Sequence, residues 1–435
     1  MASENKMEIA TLGGCRFRSP LSLSTVPGDG IGDFIPDTAR VRYQVEFNTP
    51  YDNPDILFEK AGPREKIFFD APKVRAAIVS CGGLCPGIND VIRSICFELK
   101  QNYHAKEVLG IRYGYQGLNP AAGRPPLVLT EEAVDGIHLQ GGTVLGSSRG
   151  AQPVEVMTDF LESRDIDVLF CIGGDGTQRG AHAIAGEVTR RGLKKAIVGI
   201  PKTIDNDIPY VQQTFGYLTS IERAHEVLNC AHIEAKAAIN GIGLVKVMGR
   251  DSGFIAAGAS LASQDVDFTL IPEVKFALGG ENGLLSHLER RLARKPHALI
   301  VVAEGAGQEL MPKDECRRDA SGNILHNDIG PFLLAEIKKY FREKNIEANP
   351  KYIDPSYIIR SVPANCADSI RCDQFARHAV HAAMAGKTDV LIGLWNDRFI
   401  HVPLAEATCC RRYVQPESEL WESVISVTGQ PRIME

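Results

Sequence analysis

Three short segments concentrate side chains able to act on an anion. Pro201-Lys202-Thr203-Ile204-Asp205-Asn206-Asp207 packs two carboxylates, a hydroxyl and an ammonium directly after an apolar run. Like charges this close need an opposing cation or a shared ligand. One carboxylate can then accept the proton of an attacking hydroxyl while Lys202 neutralises charge on a transferred group; the plainer alternative is a solvated turn. Gly173-Gly174-Asp175-Gly176-Thr177 sets a carboxylate at the end of the run DVLFCI, where it can hold a magnesium ion bridging phosphate oxygens, with Thr177 able to cap the next helix. Gly82-Gly83-Leu84-Cys85-Pro86-Gly87 lets backbone approach a phosphate at a helix N-terminus, whose free N–H groups and dipole favour anions. Glycines also serve simply as tight turns. Further cations are Arg149 in LGSSRG, Arg250 in VMGRDSG, and Lys351 and Arg360 around Tyr357 in KYIDPSYIIR, while Glu304 ends LIVVAEG. Each alone fits a surface ion pair. Together they suit a ligand set with more than one phosphate, such as a sugar phosphate plus a nucleotide, with Glu304 on a sugar hydroxyl.

These residues need elements that bring them together. VRAAIVSCGG is a short apolar run ending in glycines, and GINDVIRSICFELKQNY after it has helical spacing, so the unit is strand, glycine turn, helix. AKEVLGIRYG, DIDVLFCIGGDG, KKAIVGIPKTIDND, NGIGLVKVMGRDSG, VDFTLIPEV and HALIVVAEGAG repeat the strand pattern, most with a helical segment between them. Continuous apolar strands alternating with helices imply an α/β fold with mainly parallel sheets, whose ligands bind at the strands' C-terminal ends. The number of strands favours two doubly wound lobes over one sheet. Residues 1–70, rich in Pro, Gly, Asp and Ser (TVPGDGIGDF, FNTPYDNPD), read as an extension draped over a core, and the stretches near 272–282 and 305–330 read as loops.

Composition excludes several classes. With 435 residues, 23% charged and 44% hydrophobic, the chain is globular, and its net charge of −6 gives no general attraction for nucleic acid or an anionic membrane. No apolar run is long enough to span a bilayer, and neither the start MASENKMEIA nor the ending PRIME carries a targeting signal, so a cytoplasmic location is expected. The 11 cysteines include no CxxC pair, although Cys409 and Cys410 are adjacent, and the 11 histidines fall at no metal-ligand spacing. A Walker A motif is absent.

In this order, SCGGLCPGINDVIR, GGTVLGSSRG, IGGDGTQRGA, PKTIDNDI, VKVMGRDSGFIA, VAEGAGQ and YIDPSYIIR resemble the 6-phosphofructokinase family over residues 70–405, closest to its long-chain branch of plant and kinetoplastid enzymes. The resemblance implies two doubly wound lobes with the active site between them. On this chain these map to an N-terminal extension (1–70), a nucleotide and magnesium lobe (71–216, completed near 357–404), a sugar-phosphate lobe (217–356) and a C-terminal segment (405–435). It further implies that Gly83, Arg149, Gly150, Gly174, Asp175, Gly176 and Thr177 take the nucleotide, with Asp175 on Mg²⁺. Asp205 is implied as the base on the C1 hydroxyl of fructose 6-phosphate, with Thr203, Lys202 and Arg149 assisting. Thr203, Ile204, Asp205, Met248, Gly249, Arg250, Glu304, Lys351, Tyr357, Ile358, Ile359 and Arg360 are implied to hold the sugar phosphate. A homodimer or homotetramer and allosteric control in glycolysis are usual for the family.

Two departures matter. Gly241 stands where short bacterial members carry an arginine that reaches a neighbouring subunit's substrate. Lys202 stands where pyrophosphate-dependent members have lysine, whereas Gly176 stands where they place a second aspartate. An aspartate at 176 would put bulk and charge in the path of a nucleotide's inner phosphate, so Gly176 favours ATP as donor; Lys202 is compatible with either, and pyrophosphate is the alternative. The GGDGT turn is shared with NAD and diacylglycerol kinases, but PKTIDND, MGR and YIIR are not. A non-catalytic regulatory paralogue is a further alternative, against which both Asp175 and Asp205 are present.

Overall fold

Every apolar run read as a buried strand forms one. The computed structural model describes residues 7–46, 56–312 and 325–435; the FNTPYDNPD stretch and residues 313–324 of the loop expected near 305–330 lie outside the described residues. The main strands are β1 (Arg40–Arg42), β2 (Leu57–Lys60), β3 (Arg75–Ser80), β4 (Glu107–Ile111), β5 (Leu127–Val128), β6 (Val168–Gly173), β7 (Ala196–Pro201), β8 (Gly241–Val247), β9 (Phe268–Leu270), β10 (His297–Ala303), β11 (Asn349–Ile353), β12 (Val390–Trp395) and β13 (Arg398–Pro403). The helices used below are α1 (Ile88–Phe97), α2 (Asp175–Arg190), α3 (Tyr217–Lys236), α4 (Phe254–Ser263), α5 (Ser356–Arg360) and α6 (Cys366–Met384).

The chain divides into two compact units, one of Met1–Thr203, Ile208–Gly216 and Val362–Arg411, the other of Ile204–Asp207, Tyr217–Ser361 and Arg412–Glu435. In the first unit nine strands run in the order β1-β2-β13-β12-β7-β6-β3-β4-β5. The inner strands β12, β7, β6, β3 and β4 are parallel to one another. Every residue of β6 and β7 is buried, as a sheet covered on both faces requires. The register pairs Ser80 with Ile172 and Gly173 with Pro201, so β3, β6 and β7 end level and deliver their glycines, Asp175 and Lys202 to one edge.

The N-terminal extension does more than drape. Its short strands β2 and β1 continue the large sheet, β2 pairing antiparallel with β13. Glu59 of β2 is clasped by Lys387 (2.8 Å), Arg64 (3.0 Å) and His401 (3.1 Å). Burial opposes ionisation of Glu59, but the hydrogen bonds and charges of His401 and Lys387 outweigh it and hold the carboxyl well below the usual carboxylate range.

In the second unit four parallel strands run β9-β10-β8-β11. Val247 pairs with Ala303, which sets Met248–Arg250 beside Glu304 at the C-terminal ends of β8 and β10. From Arg412 onward the C-terminal segment belongs to this unit: Gln430 Oε1 accepts the Thr269 N–H at 2.6 Å, and Ala277 N–H donates to the Met434 carbonyl at 2.7 Å.

Candidate active site

In the first unit, the turn after β3 is shaped by Gly82 at φ +86° and Gly87 at φ +95°. A Cβ at Gly87 would lie 2.4 Å from Cys372 Sγ of α6, so glycine there serves packing. Gly82 differs, because its absent Cβ would meet only Lys202 Nζ, at 3.5 Å. Lys202 is buried, and its ammonium donates to the Gly83 carbonyl, which pins the charge against the glycine turn. Ser147 Oγ donates to the Gly82 carbonyl at 2.6 Å, and Gly82 N–H to the Ser148 carbonyl at 3.1 Å; this brings the LGSSRG loop, with exposed Arg149 and Gly150, to the same turn.

The glycines after β6 have different reasons. A Cβ at Gly173 would come within 2.1 Å of Thr177 Oγ1, so that position must be glycine for the turn to close. At Gly176, in the first turn of α2, a Cβ would meet nothing within 4 Å, and no positive φ is needed. The fold therefore does not require glycine at 176. Gly174, not Thr177, is the N-cap of α2, and no side chain caps that end. Thr177 is a buried residue inside the helix whose carbonyl accepts from Tyr115 Oη at 2.7 Å. The expectation that Thr177 caps the helix is thus corrected: with Gly173 folded against it, the chain is already helical by Asp175.

Asp175 faces two cations. Arg179, one turn on, pairs with it at 2.5 Å, and the Arg411 guanidinium lies 3.6 Å away. The sequence reading missed both, although the i, i+4 spacing of Arg179 was a usable signal. Among the described residues no group of three or more His, Cys, Asp or Glu could hold a metal ion. Asp175 alone fits Mg²⁺ of the kind that completes its coordination from phosphate oxygens and water, rather than one caged by protein.

In the second unit, Ser252 Oγ donates to the Asp205 carbonyl (3.0 Å) and the Arg412 N–H to the Asp207 carbonyl (2.8 Å), so the segment carrying the carboxylates is held from both sides. Ile204 is buried, and Thr203, in the first unit, has its carbonyl held by Thr214 Oγ1 at 2.7 Å. Gly249, at φ +127°, packs so closely that a Cβ would be 2.5 Å from the Ser252 carbonyl oxygen, and Gly305 N–H donates to the Gly249 carbonyl at 3.1 Å. These contacts fix Met248, Arg250 and Glu304 as one cluster. His326, missed from sequence because it lies in a loop far along the chain, joins them, and burial together with Arg250 keeps its pKa low.

The remaining expected residues are arranged unevenly. On α5, Tyr357 is 74% and Ile358 60% exposed, and Arg360 lies over the Tyr357 ring at 5.0 Å. Ile359 is fully buried, so its side chain serves the core and only its main chain is available to a ligand. Lys351, on β11, forms an ion pair with Glu234 of α3. Gly241 opens β8, where a Cβ would fall 2.0 Å from the Ala235 carbonyl oxygen at the end of α3. The α3–β8 turn thus excludes the arginine of short bacterial enzymes at this position.

Comparison with known proteins gives the family. The chain is 50% identical over 433 residues, 98% of its length and 96% of the relative's, to a Borreliella burgdorferi protein named ATP-dependent 6-phosphofructokinase. It is 47% identical to Arabidopsis thaliana ATP-dependent 6-phosphofructokinase 7, over 87% of this chain and 78% of that one. A solved pyrophosphate-dependent phosphofructokinase from Marinobacter aquaeolei shares the fold, with a TM-score of 0.69 and 18% identity over 82% of this chain and 92% of that one. The phosphofructokinase family model matches residues 75–383, which contain both strand-end clusters. With that match and full-length relatives at such identity, the chain belongs to the phosphofructokinase family.

Proposed function

We propose that this chain is an ATP-dependent 6-phosphofructokinase, transferring the γ-phosphoryl group of ATP to the C1 hydroxyl of fructose 6-phosphate in glycolysis. The observation that carries the choice of donor is Gly176: the fold leaves open space there and does not need glycine, which supports room for a nucleotide's phosphates. The names of relatives that span nearly the whole chain support the same reading.

Each residue then has a task set by its chemistry. The uncapped amino end of α2 and the turns at Gly83, Gly174 and Gly176 offer backbone donors to the phosphates, with Thr177 fixing the helix start and Arg149 and Gly150 closing over them. Mg²⁺, held by Asp175 and phosphate oxygens, would supply charge neutralisation. Asp205 accepts the C1 hydroxyl proton, Thr203 orients that hydroxyl, and Lys202, pinned at Gly83, neutralises the moving phosphoryl group. Arg250, Arg360 and Lys351 hold the 6-phosphate, while Ile204, Met248, Gly249, Glu304, Tyr357, Ile358 and the main chain of Ile359 surround the sugar. We further propose a cytoplasmic homodimer or homotetramer; no described helix is long and apolar enough to cross a membrane.

Lys202 keeps pyrophosphate as the second reading of the donor. Fructose 1,6-bisphosphate formation by the purified protein with Mg²⁺ and fructose 6-phosphate separates them. Turnover with ATP and not pyrophosphate is expected; turnover with pyrophosphate alone would transfer the decisive role to Lys202, and none with either would refute the function.

A further inference from the structure

Cys409 and Cys410 have no part in the proposed reaction, yet they adjoin the residues that support it. Both thiols are exposed, and Cys409 Sγ donates to Cys410 Sγ at 3.5 Å. The preceding helix, Leu404–Ala407, is anchored at its end by Thr408 Oγ1, which donates to the Leu404 carbonyl at 2.8 Å. Immediately after the pair come Arg411, 3.6 Å from Asp175, and Arg412, whose N–H holds the Asp207 carbonyl at 2.8 Å and whose guanidinium lies over the Phe254 ring at 4.7 Å. The pair thus lies between an anchored helix end and two arginines engaged with acidic residues of the candidate site.

We propose that Cys409 and Cys410 form a reversible vicinal disulfide by exchange with a low-molecular-weight disulfide, and that closing this ring weakens nucleotide use through Arg411. The coupling rests on the functional reading above; ring formation does not. Cys410 is the attacking sulfur, because it accepts the Cys409 S–H. Burial, then Cys410 and Glu406, push the Cys409 thiol up, so it stays the protonated partner until the second step. In the first step the Cys410 thiolate attacks one sulfur of the small disulfide RSSR, forming a mixed disulfide and releasing RS⁻. Cys409 then loses its proton to solvent and its sulfur attacks Cys410, expelling the second RS⁻. The protein loses two hydrogens in all, and RSSR is reduced to two RSH.

Adjacent Cα atoms are about 3.8 Å apart across a trans peptide, closer than the roughly 4.4–6.8 Å usual for disulfides. The ring is therefore strained and easily reduced, as suits a switch rather than a staple. Closing it must turn the 409–410 peptide. Since Arg411 follows without a spacer, its guanidinium moves relative to Asp175. Loss of that partly exposed pair is expected to lower kcat/KM for Mg-ATP about two- to fivefold.

The test incubates the full-length protein with oxidised glutathione, maps thiols by mass spectrometry and measures kcat/KM for ATP before and after dithiothreitol. Expected are loss of two hydrogens in the peptide holding Cys409 and Cys410 and a fall in activity reversed by dithiothreitol. In Cys409→Ser and Cys410→Ser, basal activity is kept and the response disappears. A pair that stays reduced while other cysteines react, or a response that persists in both variants, overturns the site. An oxidised pair with unchanged kcat/KM overturns the coupling. Absence of phosphofructokinase turnover in the reduced protein would instead refute the functional reading, and the mass measurement would still decide ring closure.

Discussion

Replacing Gly176 by aspartate separates a glycine kept for the ligand from one kept for the fold. A Cβ at this position meets nothing within 4 Å, so the substitution creates no clash. Asp in the first turn of α2 also complements the helix dipole, an effect of about 0.3–1 kcal/mol in favour of folding. The protein should therefore be as stable as the parent, or slightly more so. The nucleotide should fare worse. A phosphate charge bound at the same helix end, roughly 6 Å from the new carboxylate, would be repelled by about 3 kcal/mol at an effective dielectric near 20. That corresponds to a rise in KM for ATP on the order of a hundredfold, with fructose 6-phosphate KM little changed. Steady-state kinetics with each substrate varied, together with a denaturant unfolding curve, check both halves. Equal losses for the two substrates, or a clear fall in stability at unchanged KM for ATP, would refute the reasoning.

Three further outcomes follow from the same structure. Asp205→Asn should lower kcat by about 10²–10⁴-fold with little change in sugar KM, and near-normal turnover would remove Asp205 as the base. Gly241→Ala forces a Cβ to 2.0 Å from a backbone oxygen and should cost about 3 kcal/mol in denaturant unfolding; a cost below about 0.5 kcal/mol would show that the α3–β8 turn relaxes. Two histidines of the first unit should make it less stable in acid. Buried His381, whose Nδ1 meets Tyr103 Oη at 2.9 Å, is held well below its ordinary value of 6.5 by burial, and His378, stacked on Phe399, is lowered to about 3. The unfolded chain thus binds protons below pH 6.5 that the folded chain refuses, so stability is full above that pH and falls beneath it. The loss from His381 between pH 7 and 5 is about 2 kcal/mol, with less from the partly exposed His378. Urea midpoints that stay flat over this range, or that fall just as steeply in His381→Gln, would contradict it.

The chemistry of the strand ends is legible in the order of the amino acids, for a physical reason. Parallel strands covered on both faces read as unbroken apolar runs, so the first polar residues after them, Asp175, Lys202, Asp205, Arg250 and Glu304, stand out as the places where the chain leaves the core. Order along the chain then carries the family resemblance. The short strands Arg40–Arg42 and Leu57–Lys60 at one side of the sheet are not legible in this way, because segments of three and four residues show no period and take their conformation from the strand they join.

What the sequence determined by itself was which residue types sit at strand ends, and hence the class of chemistry. Tertiary structure decided which distant groups meet them. Arg411 reaches Asp175 only because residues 362–411 return to the first unit, and Arg412 holds Asp207 because the chain then passes to the second. Tertiary structure also decided which glycines are free. Gly173 and Gly241 are held by atoms within 2.1 Å and 2.0 Å of a would-be side chain, while Gly176 has none within 4 Å. In sequence the three look alike, because the letter records the missing side chain but not what would occupy its space.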